Sequence, residues 1–376
     1  MRVGVNSRLL LKDKLEGIGY FTLKNLERLT KNHPECEFVL FFDRPYDKDF
    51  VFADNVKAVV IPLPTRHPML WHIYFEILLP IYLRFYKIDV FFSTEGYIPT
   101  WGKTPKLCTI HDINFEHEKT YIGNKVYQRY MEYFTPKFAK SAKAVLTVSE
   151  FSKQDLMKTY GIEEKKIFVV ESSANEDYKT YSKEENQKTR QKYSNSCPYF
   201  YFVGSLQKRK NLTNLFKAFD LFKSKTKSDV KLLIVGNKKW WKGEIEDTFN
   251  AMVYKAEVVF TGRIPLEEVN RIASASIALT FVSFFEGFGV PPLEAYRSST
   301  AVITSNTSSM PEIAGEGALY ANPYDVNSIC EAMIELYTNP SLREELIKKG
   351  QEQAKKYSWD KTAELVWNAI EKVCKK

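Results

Sequence analysis

The segment Glu286–Glu294 has the sequence EGFGVPPLE and combines two acids, two glycines and two prolines in a spacing that suits a ligand site. The apolar run at 277–283 before it predicts a strand, and adjacent prolines are typical of the first turn of a helix. The backbone amides of Gly289 and Val290 would open that helix and point at an anion, which the helix dipole attracts. The acids at the two ends of the segment suit sugar hydroxyls, and we place Glu294 in the first helical turn. The pattern predicts an anion site flanked by two carboxylates.

A basic element, Val203–Asn211 with the sequence VGSLQKRKN, follows another predicted strand at 198–205 and precedes a helix. It belongs at the same edge of the sheet as the acidic segment, because the carboxyl ends of parallel strands lie together. Arg209 and Lys210 are the candidates to neutralise a diphosphate, the arginine through its fork of donors and the lysine as a point charge. The two elements together predict a site for a phosphorylated ligand.

A histidine and a possible metal motif are further candidates. His111 ends an apolar strand beside Asp112, a position that favours a role at the site. Asp47-Lys48-Asp49 has the D-x-D spacing of a metal-binding motif, but it lies in a polar turn, which favours a solvated loop. Five scattered cysteines without a C-x-x-C pair argue against a zinc site or a disulfide framework and favour a reducing compartment. We therefore predict no metal site.

Short apolar runs alternate with amphipathic stretches along the whole chain, which predicts alternating strands and helices. Predicted strands cover 2–6, 37–42, 56–62, 89–93, 106–112, 143–149, 166–171, 198–205, 231–236, 258–262, 277–283 and 301–305, and predicted helices include 19–31, 70–86, 124–140, 150–160 and 359–373. Apolar strands without strict alternation are expected where helices cover both faces of a parallel sheet. The predicted fold class is α/β, with two Rossmann-like, doubly wound parallel-sheet domains that face each other across a cleft.

A polar, lysine-rich stretch without strand pattern divides the chain. We predict a first domain at 1–178, a linker at 179–196, a second domain at 197–356 and a C-terminal helix at 357–376 that crosses back to the first domain. An aromatic run between Trp71 and Tyr86 is interpreted as a packed helix, with a membrane-surface or lipid-acceptor face as the alternative.

The charge and hydropathy of the chain limit its partners. The net charge is +8, and the basic excess concentrates between Leu206 and Lys242, as expected for a small phosphorylated ligand, a polyanion or a membrane surface. No basic motif interleaved with aromatic residues indicates nucleic acid, and no apolar run has the length of a membrane span. The first residues have the pattern of a strand, so we expect no signal peptide and a cytoplasmic protein, with contact to the inner face of the membrane left open.

The two second-domain elements resemble motifs of the family 4 glycosyltransferases, the large group of retaining enzymes with the GT-B fold. EGFGVPPLE is similar to the E-x7-E motif of that family, and VGSLQKRKN is similar to its phosphate-binding loop. The resemblance spans nearly the whole chain, because family segments are also matched at 17–19, 109–115, 146–156, 258–263 and 304–323. One difference is Ser205, where many relatives have an arginine, so Arg209 is expected to supply that charge.

The resemblance implies roles for the matching residues. Glu286 would contact hydroxyls of the donor sugar, Glu294 would contact the ribose, and His111 would lie near the donor sugar. The implied catalytic residues are His111, Glu286, Arg209 and Lys210. The implied donor-binding residues are Gly17, Gly19, Gly204, Ser205, Arg209, Lys210, Gly262, Arg263, Glu286, Gly287, Phe288, Gly289, Val290 and Glu294.

The implied reaction is transfer of a hexose-type sugar from a nucleotide-diphosphate donor, such as GDP-mannose or a UDP-sugar, with retention at the anomeric carbon. The expected acceptor is a saccharide or lipid-linked saccharide of surface-polysaccharide or lipopolysaccharide synthesis. The nucleotide sugar is a co-substrate, and no cofactor or metal is expected. Two alternatives remain, namely a different GT-B enzyme such as a nucleotide-sugar epimerase, and a catalytically silent sugar-binding subunit.

Overall fold

The computed structural model describes residues 1–12, 15, 17–65, 67–121 and 124–375, and the chain divides into two compact units. Unit 1 comprises Met1–Ser172 together with Ser358–Lys376, and unit 2 comprises Ser173–Tyr357. The predicted linker at 179–196 is wrong for most of its length, because a helix at Lys183–Ser194 packs within unit 2. Ser182 begins this helix with a capping box, a local signal that stabilises even a polar helix.

Strands and helices alternate in both units. The strands are β1 (Arg2–Asn6), β2 (Glu37–Phe42), β3 (Val56–Val60), β4 (Val90–Ser93), β5 (Lys106–Thr109), β6 (Ala144–Thr147), β7 (Ile167–Val169), β8 (Tyr199–Val203), β9 (Lys231–Val235), β10 (Val258–Gly262), β11 (Ala278–Phe281), β12 (Ala301–Ser305) and β13 (Ala318–Ala321). The helices are α1 (Gly17–Asn32), α2 (Pro68–Ile73), α3 (Leu79–Phe85), α4 (Asn114–His117), α5 (Lys125–Ser141), α6 (Glu150–Tyr160), α7 (Lys183–Ser194), α8 (Leu212–Thr226), α9 (Glu244–Ala251), α10 (Leu266–Ala275), α11 (Val290–Arg297), α12 (Met310–Ala314), α13 (Val326–Thr338), α14 (Pro340–Ala354) and α15 (Trp359–Cys374). A π-helical turn, Tyr74–Leu78, joins α2 to α3.

Unit 1 contains a seven-stranded parallel sheet in the order β3-β2-β1-β4-β5-β6-β7. Alternate residues of β2 enter different hydrophobic cores: Phe38 and Leu40 pack with α1 and α15, whereas Val39 and Phe41 pack with α3 and α5. Both faces of the sheet are therefore covered, which explains why its strands have apolar sequences without alternation.

Unit 2 contains a six-stranded parallel sheet in the order β10-β9-β8-β11-β12-β13. Strand β13 was not predicted, because its sequence, ALYA, is too short to show a period. None of the helices in the described part of the chain has the length and apolar character needed to span a bilayer.

The strand order of each sheet reverses at one place, between β1 and β4 in unit 1 and between β8 and β11 in unit 2. In open parallel sheets, ligands bind outside the carboxyl ends of the strands at such switch points, because the connecting loops diverge there. Candidate ligand sites therefore lie in two pairs of loops, those after β1 and β4 in unit 1 and those after β8 and β11 in unit 2.

Candidate functional site

Arg209, Lys210 and Glu286 form an ionic cluster at the switch point of unit 2. The carboxylate of Glu286 accepts hydrogen bonds from Arg209 Nη1 at 2.8 Å and from Lys210 Nζ at 2.6 Å. Arg209 also donates to the carbonyl oxygen of Phe285, and the Lys210 ammonium lies 4.8 Å from the centre of the Phe281 ring. The Glu286 side chain is only 6% exposed. The structure therefore brings the predicted basic loop and the first acid of EGFGVPPLE into direct contact.

The electrostatics of this cluster favour an anion. Burial alone would raise the pKa of Glu286, but the charges of Arg209 and Lys210 outweigh it and lower that pKa to about 2. Glu286 is therefore ionised at neutral pH and contacts both cations. The side chains of Arg209 and Lys210 are only 19% and 11% exposed, and in such a partly desolvated place the attraction of a cation for a phosphate is stronger than in water. The carboxylate also holds both cationic side chains in a fixed position.

Asn211, which was not among the predicted site residues, anchors the basic loop. Its backbone has a left-handed conformation with φ of 59°, and its Nδ2 donates to the carbonyl oxygens of Val282 at 2.9 Å and Pro323 at 2.7 Å. Those carbonyls follow β11 and β13, so one amide side chain ties three loops together. At the start of the loop, Gly204 also has a positive φ, of 145°, and Ser205 is exposed. Asparagine tolerates the left-handed region better than most residues, which is the signal that the sequence offered.

Helix α11 begins where the sequence predicted. Gly289 is its N-cap with φ of 86°, which favours glycine, and a Cβ added there would lie 2.1 Å from the Met310 Cε, so the buried methionine would have to shift. The next residues after Val290 are the two prolines, which lack an N–H group. The amides of Gly289 and Val290 are therefore the donors that this helix start offers to an anion.

Two serines hold the loop before α11. Ser309 Oγ lies within hydrogen-bond distance of the carbonyl oxygens of Glu286 (2.9 Å) and Phe288 (3.0 Å), and Ser308 Oγ accepts from the Glu286 amide at 3.1 Å. Gly287 and Phe288 are buried in this loop. Both serines belong to the stretch 304–323, whose sequence resembles the family, and in the structure they hold the loop before α11 in place.

Glu294 lies farther along α11 than predicted. The helix begins at Val290, so Glu294 is its fifth residue, and the expectation of a carboxylate stabilised by the dipole in the first turn is wrong. Burial raises its pKa to about 7, although hydrogen bonds from the Tyr178 hydroxyl and the Asn175 amide and the charge of Arg297 act in the opposite direction. Glu294 is therefore a carboxyl group that titrates near neutral pH.

Gly262 and Arg263 lie at the carboxyl end of β10, two strands away from β8 at the same edge of the sheet. Gly262 has φ of 70°, and its carbonyl oxygen accepts from the Gly236 amide at 3.0 Å. Arg263 is exposed. The structure thus places these two predicted residues at the same sheet edge as the cluster.

His111 lies in unit 1, two residues beyond the end of β5. Its Nε2 is 2.9 Å from the carbonyl oxygen of Thr94, and its ring contacts Phe21 edge-on at 5.1 Å between centroids. Burial lowers the pKa of His111, despite the Thr94 hydrogen bond and the nearby charges of Asp112 and Glu95. Because a carbonyl can only accept, the neutral ring carries its proton on Nε2 and presents Nδ1 as an acceptor.

The remaining predicted residues of unit 1 have local explanations. Gly19 is buried where α1 approaches the preceding loop, since a Cβ there would lie 2.7 Å from the Leu9 carbonyl oxygen, whereas Gly17 is exposed with open space around it. Asp47 and Asp49 both pair with Lys12, at 2.9 and 3.0 Å, as expected for a surface turn. Within the described residues, no group of three or more His, Cys, Asp or Glu side chains is arranged to hold a metal ion.

Two family models match the chain. Residues 16–177 match the model described as glycosyltransferase family 4, and residues 182–353 match glycosyl transferases group 1. The O-antigen chain mannosyltransferase B of Escherichia coli is 27% identical to this chain, over 96% of it and 97% of that protein. The O-antigen chain mannosyltransferase RfbU of Salmonella typhimurium is 28% identical, over 85% and 84%.

Solved structures of other glycosyltransferases share the fold. A glycosyltransferase from Rickettsia africae has a TM-score of 0.75 at 15% identity, over 100% of this chain and 98% of that one. WaaG, a glycosyltransferase involved in lipopolysaccharide biosynthesis, has a TM-score of 0.72 at 13% identity, over 97% and 98%. None of these comparisons favours an epimerase or a silent subunit. The site geometry, the two parallel-sheet units and the two family matches agree, and the chain belongs to the family 4 glycosyltransferases with the GT-B fold.

Proposed function

We propose that this glycosyltransferase moves mannose from GDP-mannose to a saccharide or lipid-linked saccharide acceptor of a surface polysaccharide, with retention at the anomeric carbon. The observation that carries the proposal is the cluster of Arg209, Lys210 and Glu286 at the switch point that also contains the start of α11. The choice of mannose and of a surface polysaccharide is supported by two relatives that are O-antigen mannosyltransferases and are matched over most of their length.

The cluster suits the electrostatic demand of sugar transfer. As the bond between the anomeric carbon and the phosphate oxygen breaks, negative charge grows on the leaving diphosphate. Arg209, Lys210 and the amides of Gly289 and Val290 stabilise that charge, and little reorganisation is needed because Glu286 already holds both cations. The acceptor oxygen bonds to the anomeric carbon on the face from which the diphosphate departs, and its proton passes to the phosphate oxygen.

The remaining site residues orient the donor. His111, neutral and with Nδ1 as an acceptor, receives a hydrogen bond from a hydroxyl of the donor sugar. Glu294 binds the ribose hydroxyls, which do not change during the reaction. The positive charge comes from side chains and amides, so the reaction proceeds without a divalent metal ion.

A transfer assay tests this proposal. The enzyme is incubated with GDP-mannose, UDP-glucose or UDP-galactose and a lipid-linked saccharide acceptor, with and without EDTA, and the product linkage is read by NMR. We expect an α-mannoside from GDP-mannose at a rate that EDTA does not reduce. A β-linked product would refute retention, and loss of transfer with chelator would refute the metal-free mechanism.

We also propose that the enzyme works in the cytoplasm at the inner face of the membrane and docks through unit 1. An apolar stripe in the α2–α3 region comprises Met69, Ile77, Ile81 and Phe85, which are separated by multiples of four residues and are 64%, 49%, 56% and 77% exposed. In an α-helix, residues four apart lie slightly more than one turn apart, so a four-residue repeat drifts around the helix. The π-helical turn in this region has more residues per turn, which offsets that drift and keeps the repeat closer to one face.

The surroundings of this stripe suit an anionic bilayer. Trp101, which is 56% exposed, donates from Nε1 to the carbonyl oxygen of Glu76 and so lies beside the stripe. Arg84, Lys87 and Lys103 are exposed in the same region. Apolar side chains with a basic rim are the pattern of a surface that inserts shallowly among anionic headgroups.

Vesicle co-sedimentation tests the docking proposal. We expect binding to vesicles that contain phosphatidylglycerol, weak binding to phosphatidylcholine vesicles, and loss of binding in Ile81→Ser/Phe85→Ser. Val253→Ser is the matched control, because Val253 is 80% exposed on unit 2. Equal binding by wild type and the double variant would rule out the stripe as the docking surface.

A further inference from the structure

An arginine and a glutamate pair at the switch point of unit 1, in the same topological place as Arg209 and Glu286 in unit 2. Arg8 follows β1, and Glu95 follows β4. The Arg8 guanidinium binds both carboxylate oxygens of Glu95 through Nε and through Nη2, the latter at 2.6 Å. Asn6 Nδ2 donates to the same carboxylate at 2.7 Å. The pair is thus a bidentate contact between two loops that diverge from the sheet.

Arg8 is covered by protein rather than presented to a ligand. It is 8% exposed and Glu95 is 4% exposed. The Arg8 guanidinium lies 5.0 Å from the centre of the Tyr97 ring and 5.7 Å from that of Trp71. Its Nη1 donates to Thr65 Oγ1 at 3.0 Å. An arginine enclosed in this way can influence a bound ligand only through the residues that it holds.

The residue that Arg8 holds indirectly is His111. Glu95 is adjacent to Thr94, and the Thr94 carbonyl oxygen is the partner of His111 Nε2. The turn is also fixed by Thr22, whose hydroxyl donates to Thr94 Oγ1 at 2.7 Å. The position of the Thr94 carbonyl therefore depends on contacts on both sides of the turn, and the Arg8–Glu95 pair is the charged one.

We propose that Arg8 is a positioning residue that, through Glu95 and the Thr94 carbonyl, fixes the orientation and the Nε2–H tautomer of His111. This inference rests on the proposed function, in which His111 Nδ1 accepts a hydrogen bond from the donor sugar. If the pair is broken, the Thr94–Glu95 turn loses its anchor, and the imidazole gains the freedom to rotate or to change tautomer. Glu95 also loses its countercharge, so its effect on the nearby imidazole increases.

The test combines kinetics with NMR of the full-length protein. Arg8→Met removes the charge, whereas Arg8→Lys keeps the charge but loses the planar guanidinium that donates two parallel hydrogen bonds to Glu95. We expect kcat to fall by about 100-fold in Arg8→Met and by about 10-fold in Arg8→Lys, with an unchanged KM for the donor, because small displacements of an orienting group have effects of this size. Arg2→Met is the matched control, since Arg2 pairs with Glu37 at the other end of β1.

NMR of the histidine side chains with 15N labelling reports the contact independently of activity. We expect a single Nε2–H tautomer for His111 in the wild type and in Arg2→Met, and a mixture of tautomers with a higher pKa in Arg8→Met. The rise follows because Glu95, with Asp112, faces the imidazole and is no longer neutralised. An unchanged tautomer and pKa of His111 in a folded Arg8 variant would overturn the proposal.

Three further results have defined meanings. If Arg8→Met does not fold, the tautomer and pKa of His111 measured by NMR in Arg8→Lys test the proposal instead. If His111→Ala retains wild-type turnover, the proposed function of His111 fails, while the NMR comparison still decides whether Arg8 fixes its tautomer. A rise in the acceptor KM alone, without a change at His111, would show that Arg8 acts on the acceptor and would contradict the inference.

Discussion

Replacing Glu286 by glutamine removes the charge that holds Arg209 and Lys210 while keeping the shape of the side chain. The pKa of Glu286 is lowered from 4.5 to about 2 in the folded protein. Each pKa unit corresponds to about 1.4 kcal/mol, so the native environment stabilises the carboxylate by about 3 kcal/mol. Because the side chain is buried, solvent screening reduces this value little.

The sign of the pH dependence follows from the lowered pKa. The contribution of Glu286 to stability is fully present above pH 4.5 and is lost as the pH falls toward 2. We therefore expect Glu286→Gln to lower the free energy of unfolding by about 3 kcal/mol at pH 7, and by progressively less between pH 4.5 and 2.

Urea unfolding followed by circular dichroism at several pH values measures this difference. Glu345→Gln is the control, because the Glu345–Lys349 pair lies on the surface and its loss should leave stability nearly unchanged. If Glu286→Gln were as stable as the wild type at pH 7, or if the difference did not shrink in acid, the ionised Glu286 would not stabilise the fold through Arg209 and Lys210.

Three further predictions concern single residues of the site. Glu294→Gln should be more stable than the wild type above pH 7 but not below pH 4.5. Because the pKa of Glu294 is raised, its protonated carboxyl stabilises the fold at low pH, and this stability is lost as the pH rises through about 7. Melting temperatures of the two proteins at pH 4 and pH 8 would show the difference. His111→Ala should lower turnover by about 100-fold and leave the affinity for GDP unchanged, and a parallel loss of affinity in calorimetry would make His111 structural. Gly289→Ala should weaken GDP binding and destabilise unit 2, because the new Cβ clashes with Met310, whereas Gly161→Ala has a similar φ with open space and should cost only the left-handed strain.

Most strands and long helices were predictable because their signals are local. The apolar runs located all strands except β13, and α6 has the predicted bounds. The predicted linker failed because the capping box at Ser182 is a stronger local signal than a polar, lysine-rich composition.

The sequence predicted which residues make up the candidate site, but it could not predict which of them contact one another. The glycine and proline chemistry of EGFGVPPLE predicted the start of α11, while the pairing of Glu286 with Arg209 depends on loops 77 residues apart. The Arg8–Glu95 pair spans 87 residues, and no periodic pattern marks either member. Such pairs follow from the strand order of the sheet, which fixes which loops meet at a switch point.

We propose above all that Arg209, Lys210 and the start of α11 bind the donor diphosphate. Isothermal titration of GDP in the presence of EDTA tests it most directly, with Lys210→Met as the variant and Lys217→Met, an exposed lysine of α8, as the control. We expect binding by wild type and control without metal, and at least about 10-fold weaker binding by Lys210→Met, since a hydrogen bond to a charged group contributes about 1.5–3 kcal/mol. Equal GDP affinity in Lys210→Met and the wild type, or binding that requires a divalent cation, would contradict it.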